Sequence, residues 1–385
     1  MKVLFFDPYF QGNYGNARYV VDLFRHEELI GTEFFTCSPD VPTYLDNIEK
    51  PDRFLLLKNE EVSSLRQFGG AISNSSLIDK FRVFKDAILY SFKFRKLCKK
   101  ESIDIVHCNS IRAILTIGLG AKLSSSKLVL YIKSNLVGYV FCFPAFFLAD
   151  KILFQTETNK QKVPKSLLLL FKSKFRILKN AIDIDRVNKV LNLQDSPISK
   201  KLINQSMNLV FIGSVVERKG LKFLLKALNK IKKDGLDVSL YIIGDHTLDA
   251  KYSEELDELI VSYQLQDKIF FLGHKDEPLY YLHEMDFLVL PSLDEGVPKS
   301  VIESICMGIP VIAADVGGTR EVILNNKNGF IVRPGHVDDL YSAIKLCFEK
   351  GDMVKKFARS EAESSRKEFS FSTHSENLSI IYKEL

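Results

Sequence analysis

The 385-residue sequence lacks the marks of several protein classes. No window is a clean apolar run long enough to span a bilayer. The nearest, Leu136 to Ala149 (LVGYVFCFPAFFLA), is too short and holds a central proline. It reads as a buried core helix, with a segment that touches a membrane surface as the alternative. The N-terminus, MKVLFFDPYFQGNYG, does not read as a secretory leader, because Asp7 and Pro8 interrupt its apolar run. It reads as a first strand followed by a Gly-rich loop. The six cysteines contain no C-x-x-C pair and the seven histidines no H-x-x-x-H spacing. That argues against a disulfide frame or a structural metal and for reduced thiols in a cytoplasmic protein. The G-x-G-x-x-G fingerprint is missing, which disfavours a dehydrogenase. No internal repeat is evident.

What is present suits a globular chain with two cores. Hydrophobic residues make up 46% and charged residues 26%. Strands and helices alternate throughout, which argues for α/β layers with parallel sheets. Clear strand candidates in the first half are Lys2 to Phe6, Ile105 to His107, Leu128 to Ile132, Ile152 to Phe154 and Phe175 to Ile177. The polar stretch VNKVLNLQDSPISKKLINQS has no strong period and reads as a linker, with a domain boundary near 190–206. The second half restarts with a strand at Asn208 to Gly213.

Charge is uneven. Residues 1–200 hold about 30 basic and about 20 acidic residues, while the remainder carries a net negative charge of roughly five. The basic stretches Lys93 to Lys100 (KFRKLCKK) and Lys172 to Lys179 (KSKFRILK) interleave Phe and Leu with Lys and Arg. A solvated face is one reading. The other is an anionic partner, for which a membrane surface fits better than nucleic acid, since no nucleic-acid motif accompanies the charge.

The most specific segment runs from Met285 to Leu324: MDFLVLPSLDEGVPKSVIESICMGIPVIAADVGGTREVIL. Phe287 to Leu290 is a short apolar run suited to a buried parallel strand. Pro298 is placed as the first residue of a helix, where its missing N–H costs nothing. Lys299, Ser300 and Val301 would then offer backbone N–H groups at the positive end of the helix dipole, a site for phosphate. Glu295 precedes the helix and Glu303 lies about one turn inside it. Two such glutamates taken alone could be an ordinary solvated face. Gly213 to Gly220 (GSVVERKG) likewise follows a strand and precedes a helix, at the strand end where open α/β sheets hold ligands. Its Arg218 offers a planar fork and Lys219 a point charge, and both suit a diphosphate.

Together these residues resemble the retaining glycosyltransferases of family 4. The resemblance is carried by Pro291-Ser292, Glu295-Gly296, Pro298, Glu303, Gly308, Pro310-Val311, Gly317-Gly318 and Glu321. Val297 stands where the family usually has Phe. It is strong over about residues 208–335 and thin over the N-terminal half.

The resemblance implies a GT-B fold: two Rossmann-like parallel-sheet domains facing a cleft. Residues 1–190 would bind the acceptor and 191–385 the nucleotide sugar, with the last helix, about 369–385, crossing back to the first domain. Glu303 would bond the ribose and Glu295, beside Gly296, the donor sugar. Arg218, Lys219 and the N–H groups of Lys299 and Ser300 would hold the diphosphate. Gly12 to Asn16 resembles the family's N-terminal glycine loop, so Gly15 and Asn16 would face the diphosphate. In Asp104 to Ser110 (DIVHCNS) His107 matches the first His of a D-V-V-H-x-H pattern and Asn109 replaces the second. Asn109 can hydrogen bond but cannot act as a base near neutral pH, and His107 reads as structural. His246 replaces a glycine of G-D-G, and His274 falls in a region that reads the nucleobase.

The implied activity is metal-independent retaining transfer from a UDP- or GDP-sugar to a glycan or lipid-linked acceptor. It would serve cell-surface polysaccharide or glycolipid synthesis, in the cytoplasm or peripherally on the inner membrane face. Alternatives are a non-catalytic GT-B partner subunit, or a sugar-nucleotide epimerase or phosphorylase.

Overall fold

The computed structural model of the protein describes residues 1–6, 16–39, 50–58, 77–133, 139–193 and 207–385. Its contacts divide the chain into two units: Met1–Lys179 with Phe371–Leu385, and Asn180–Ser370.

The first unit holds a seven-stranded sheet, all parallel, in the order β3-β2-β1-β4-β5-β6-β7. Its strands are β1 (Lys2–Phe6), β2 (Glu33–Ser38), β3 (Phe54–Leu56), β4 (Ile105–Cys108), β5 (Lys127–Ile132), β6 (Lys151–Phe154) and β7 (Phe175–Ile177). The helices are α1 (Asn16–Arg25), α2 (Glu27–Ile30), α3 (Leu77–Glu101), α4 (Ile111–Leu123), α5 (Tyr139–Leu148), α6 (Glu157–Gln161) and α7 (Lys165–Leu170). Central strands such as Val3–Phe6 and Leu128–Ile132 are buried, as expected of a parallel sheet covered on both faces. Side-chain caps start α4 and α6: Ser110 Oγ accepts from Ala113 N at 3.1 Å, and Thr156 Oγ1 from Asn159 N at 3.1 Å.

The second unit carries α8 (Ile184–Leu191), β8 (Met207–Ile212), α9 (Leu221–Lys233), β9 (Val238–Ile243), α10 (Ala250–Ser262), β10 (Ile269–Gly273) and α11 (Pro278–His283). It continues through β11 (Phe287–Leu290), α12 (Lys299–Cys306), β12 (Val311–Ala314), α13 (Thr319–Val322), β13 (Gly329–Val332) and α14 (Val337–Glu368). A kink at Lys350 interrupts α14. The six parallel strands are ordered β10-β9-β8-β11-β12-β13. In α9 the buried residues Leu221, Leu224, Leu225, Leu228 and Ile231 recur at helical spacing and form its inner stripe.

The last helix, α15 (Phe371–Lys383), belongs to the first unit and packs on α2. Buried polar contacts pin it: His374 Nε2 lies 3.0 Å from the Tyr19 hydroxyl and its Nδ1 2.8 Å from the Lys179 carbonyl, while Tyr382 Oη lies 2.7 Å from His107 Nδ1.

Several expectations are corrected. The division falls at Lys179/Asn180, not near 190, because α8 packs into the second core through Val187 and Val190. Most of the expected linker, residues 194–206, lies outside the described residues. Pro298 is the N-cap of α12, with φ −65° and ψ 130°, and the helix begins at Lys299. The apolar segment at 136–149 is not a wholly buried helix. Cys142, Ala145 and Phe146 of α5 are buried, but Phe141, Phe143 and Phe147 face solvent.

Candidate functional site

Each sheet has one place where the strand order reverses, and the crevice at the carboxyl ends of the two strands there is the natural ligand position of an open α/β sheet. In the second unit this point lies between β8 and β11. The segments that leave these strands are Gly213 to Gly220 and Pro291 to Pro298.

The backbones of the two segments are knitted together. Leu293 N donates to the Arg218 carbonyl at 2.8 Å. Gly220, at φ +72°, turns the chain into α9, and a Cβ there would sit 2.2 Å from the Pro291 carbonyl oxygen. This contact brings the cations of one segment to the carboxylate of the other. Glu295 Oε1 lies 2.5 Å from Lys219 Nζ and 3.1 Å from an Arg218 guanidinium nitrogen, and it accepts from Ser292 Oγ at 3.2 Å. Arg218 also donates to the Asp294 carbonyl at 2.7 Å. Glu295 and Lys219 are largely shielded from solvent, whereas the Arg218 side chain is half-exposed.

A third segment locks the Glu295 loop. Gly318 N donates to the Gly296 carbonyl at 3.0 Å. Gly317, at φ +56°, lies so close that a Cβ would fall 1.9 Å from that same oxygen. The buried Thr319 hydroxyl braces this turn, 2.9 Å from each of the Ala314 and Val316 carbonyls. Ser292, Asp294 and Thr319 had no assigned role in the sequence reading. Ser292 and the Gly317-Gly318 pair stood within the motif, but only coordinates reveal which carbonyl each meets.

Helix α12 starts four residues after Glu295, carrying Lys299 and Ser300 in its first turn and the half-buried Glu303 one turn further on. By helix geometry the Ser300 N–H has no acceptor within the helix. Val301 differs from expectation: its N–H donates to the Pro298 carbonyl at 3.1 Å, an oxygen that also accepts the ordinary helical bond from Ile302 N at 3.3 Å. His274 follows β10, the edge strand separated from β8 by β9. It is exposed, with Nε2 3.8 Å from Asp276. After β9, Asp245 accepts from Thr247 N and Oγ1 at 2.8 and 2.7 Å, and these bonds hold its carboxyl below the usual range.

In the first unit the reversal lies between β1 and β4. Asn109 directly follows β4 there. It is 3% exposed, and neither of its amide atoms has a hydrogen-bond partner among the described residues. Beside it in sequence, His107 is fully buried; burial first, then the charges of Lys133 and His374, push its imidazole well below its ordinary pKa. Gly15 lies outside the described residues, and Asn16 begins α1. Among the described residues no group of three or more His, Cys, Asp or Glu could hold a metal ion. No helix among them is long and apolar enough to cross a membrane.

Comparison with known proteins follows this division. Residues 195–364 match the family model of glycosyl transferases group 1. An uncharacterized glycosyltransferase of Methanocaldococcus jannaschii is 26% identical over 275 residues, 66% of this chain and 66% of that protein. A Campylobacter jejuni protein named as N-acetylgalactosamine-N,N'-diacetylbacillosaminyl-diphospho-undecaprenol 4-alpha-N-acetylgalactosaminyltransferase is 26% identical over 296 residues, 72% of this chain and 76% of its own. Among solved structures, Anabaena Alr3699/HepE in complex with UDP superposes with a TM-score of 0.80 at 17% identity, covering 100% of both chains. The match over residues 195–364 bears out the glycosyltransferase part of the resemblance read from the Glu295 segment, and the two parallel-sheet units have the GT-B fold.

Proposed function

We propose that this chain, a group 1 glycosyltransferase by its second unit, transfers a sugar from a nucleoside-diphosphate donor to a glycan or lipid-linked acceptor with retention of configuration. The observation that carries the reading is the Glu295 carboxylate bracketed by Lys219 and Arg218 at the switch point of the second sheet.

The chemistry follows from that cluster. Departure of a nucleoside diphosphate builds negative charge on the leaving phosphate. Two adjacent cations on one segment, facing the loop that leads into the first turn of α12, suit that charge. Glu295 tethers both cations and offers its other oxygen to a sugar hydroxyl. Glu303, one turn along α12, would bond the ribose. With cations and helix dipole opposing the phosphate charge, the transfer would need no metal. The anomeric centre would pass through an oxocarbenium-like state, and the acceptor proton would leave with a phosphate oxygen, since Asn109 is no base. The lipid-diphosphate acceptor in the C. jejuni relative's name and the basic surplus of residues 1–200 favour action at the inner face of a membrane.

The test is a thermal-shift screen of UDP-, GDP- and ADP-sugars, followed by transfer assays with the donor that raises the melting temperature. An α-configured product from an α-donor supports retention, and inversion overturns it. No shift with any nucleotide sugar would overturn the donor-site assignment.

A further inference from the structure

The first unit carries a helical layer whose inner side builds the core and whose outer side exposes further apolar residues. The strand order moves in one direction from β3 through β4, β5 and β6, so right-handed crossovers put α3, α4 and α5 on one face of the sheet. Accordingly, α3 packs on α4 and α4 on α5. The outer side of this layer is unusually apolar. Helix α5 (YVFCFPAFFL) contains no charged residue, yet Phe141, Phe143 and Phe147 are exposed, Phe147 by 67%. Leu169 and Leu170 of α7 are exposed by 77% and 62%.

Phe143 and Phe147 adjoin the end of α7. The Phe143 ring stacks on Phe147 at 6.5 Å and meets the edge of Phe171, directly after Leu170, at 5.9 Å. Lys174 clamps the end of α5 by donating to the carbonyls of Phe146, Phe147 and Ala149, at 3.0, 3.2 and 2.6 Å. An exposed apolar surface of this kind is costly in water and marks an interaction site.

The charge around the patch selects its partner. Exposed Lys165 and Lys172 flank the leucines and Phe171, and the basic end of α3 (Lys93, Lys96, Lys99, Lys100) belongs to the same layer. The two carboxylates between residues 139 and 179 are already paired: Asp150 with Lys122 at 2.5 Å and Glu157 with Lys160 at 2.9 Å. A second copy of the chain would bring the same cations against these. A bilayer containing anionic lipid offers hydrocarbon to the rings and phosphate to the lysines.

We infer that the α5–α7 face of the first unit docks on an anionic membrane surface, inserting Phe143, Phe147, Leu169 and Leu170 below the headgroups while Lys165 and Lys172 contact lipid phosphates. The inference deepens the proposed membrane-side activity but is measured without any sugar donor.

Full-length protein is sedimented with vesicles of phosphatidylcholine alone or with added phosphatidylglycerol. Binding to the anionic vesicles alone, weakened by salt, is expected. Phe143→Ser with Phe147→Ser, and Leu169→Ser with Leu170→Ser, should each lower the partition coefficient about tenfold. Lys172→Glu should lower it roughly fivefold or more, with circular dichroism unchanged in every case. Absence of binding at low salt, or wild-type binding by both serine pairs, overturns the inference. So does a dimer in solution that the phenylalanine pair converts to monomer, which assigns the face to a second copy. Nucleotide-sugar thermal shifts on the same samples report separately on the donor site.

Discussion

Lys219 Nζ lies 2.5 Å from Glu295 Oε1, with the two side chains only 14% and 12% exposed. The pair joins the segments leaving two adjacent strands, so each residue stabilises the other's loop. Removing one partner leaves a poorly solvated charge. Lys219→Ala and Glu295→Ala should each destabilise the second unit by about 1–3 kcal/mol. The double variant should cost less than the sum, since neither charge is then stranded. Urea unfolding of the four proteins measures the coupling, and strict additivity would contradict the pairing. Sugar transfer should fall by roughly a hundredfold or more in each single variant.

Gly317 tests whether the loop conformation itself matters. Ala at φ +56° costs about 1–2 kcal/mol from the backbone alone. Its Cβ would also fall 1.9 Å from the Gly296 carbonyl and 2.3 Å from that of Glu295. Gly317→Ala therefore displaces the Glu295 loop while leaving every charged residue of the cluster in place. The expected result is a lowered melting temperature together with a weakened nucleotide-sugar thermal shift. A variant that loses stability but binds donor normally would show that the loop geometry is dispensable.

The two halves of the chain were not equally legible in sequence. The meeting of Arg218 and Lys219 with Glu295 was legible because these residues, like Pro298, sit at strand and helix ends whose chemistry local rules determine. Pro298 shows the limit of those rules: a proline is as acceptable at the N-cap as one residue later, and only its ψ of 130° decides. The Val301 N–H is already taken by the Pro298 carbonyl, which composition does not disclose. Strands β2 and β3 were both missed: β3 is short and sits at the sheet edge, only partly buried, and β2 ends in Thr36, Cys37 and Ser38, which blunt its apolar run. The place of α8 depended on which core would receive Val187 and Val190, a long-range question that local polarity could not answer.

His107 links stability to pH. Burial lowers its pKa in the folded state, so the native protein keeps it neutral while an unfolded chain protonates it near pH 6.5. Unfolded protein then binds the extra proton, and stability rises with pH. The contribution is complete above about pH 6.5 and falls by about 1.4 kcal/mol per pH unit from there down to the lowered native value. His107→Gln should remove that slope between pH 6.5 and 5, and should lower stability at pH 7 by loosening the contact with Tyr382. Unfolding free energies at several pH values check both effects.

The thiols should be inert until the chain opens. All six cysteines are buried and outside any disulfide, and burial pushes Cys98 and Cys306 up to about 12. Thiolate is the reactive form, so native protein at pH 8 should titrate far fewer than six thiols with an aromatic disulfide reagent, and urea-unfolded protein all six. Rapid labelling of the native chain would contradict this burial.

Asn109 offers a test of stability against activity. Its side chain is buried at the switch point of the first sheet, and both amide atoms lack a hydrogen-bond partner among the described residues. Such a group costs about 1–3 kcal/mol relative to an apolar side chain of the same shape. Asn109→Leu should therefore raise the melting temperature. If Asn109 serves only the fold, transfer should be unaffected by that gain. If its amide engages the reacting sugar or the acceptor, the same change should lower kcat/KM about tenfold to a hundredfold, because a hydrogen bond that strengthens toward the transition state is lost. The expected outcome is the second, a more stable and less active enzyme. Asn109→His measured beside it separates the roles further: it supplies a titratable group in the same place, and an activity that rises with pH through the imidazole range would show that this position can carry a proton when given a base.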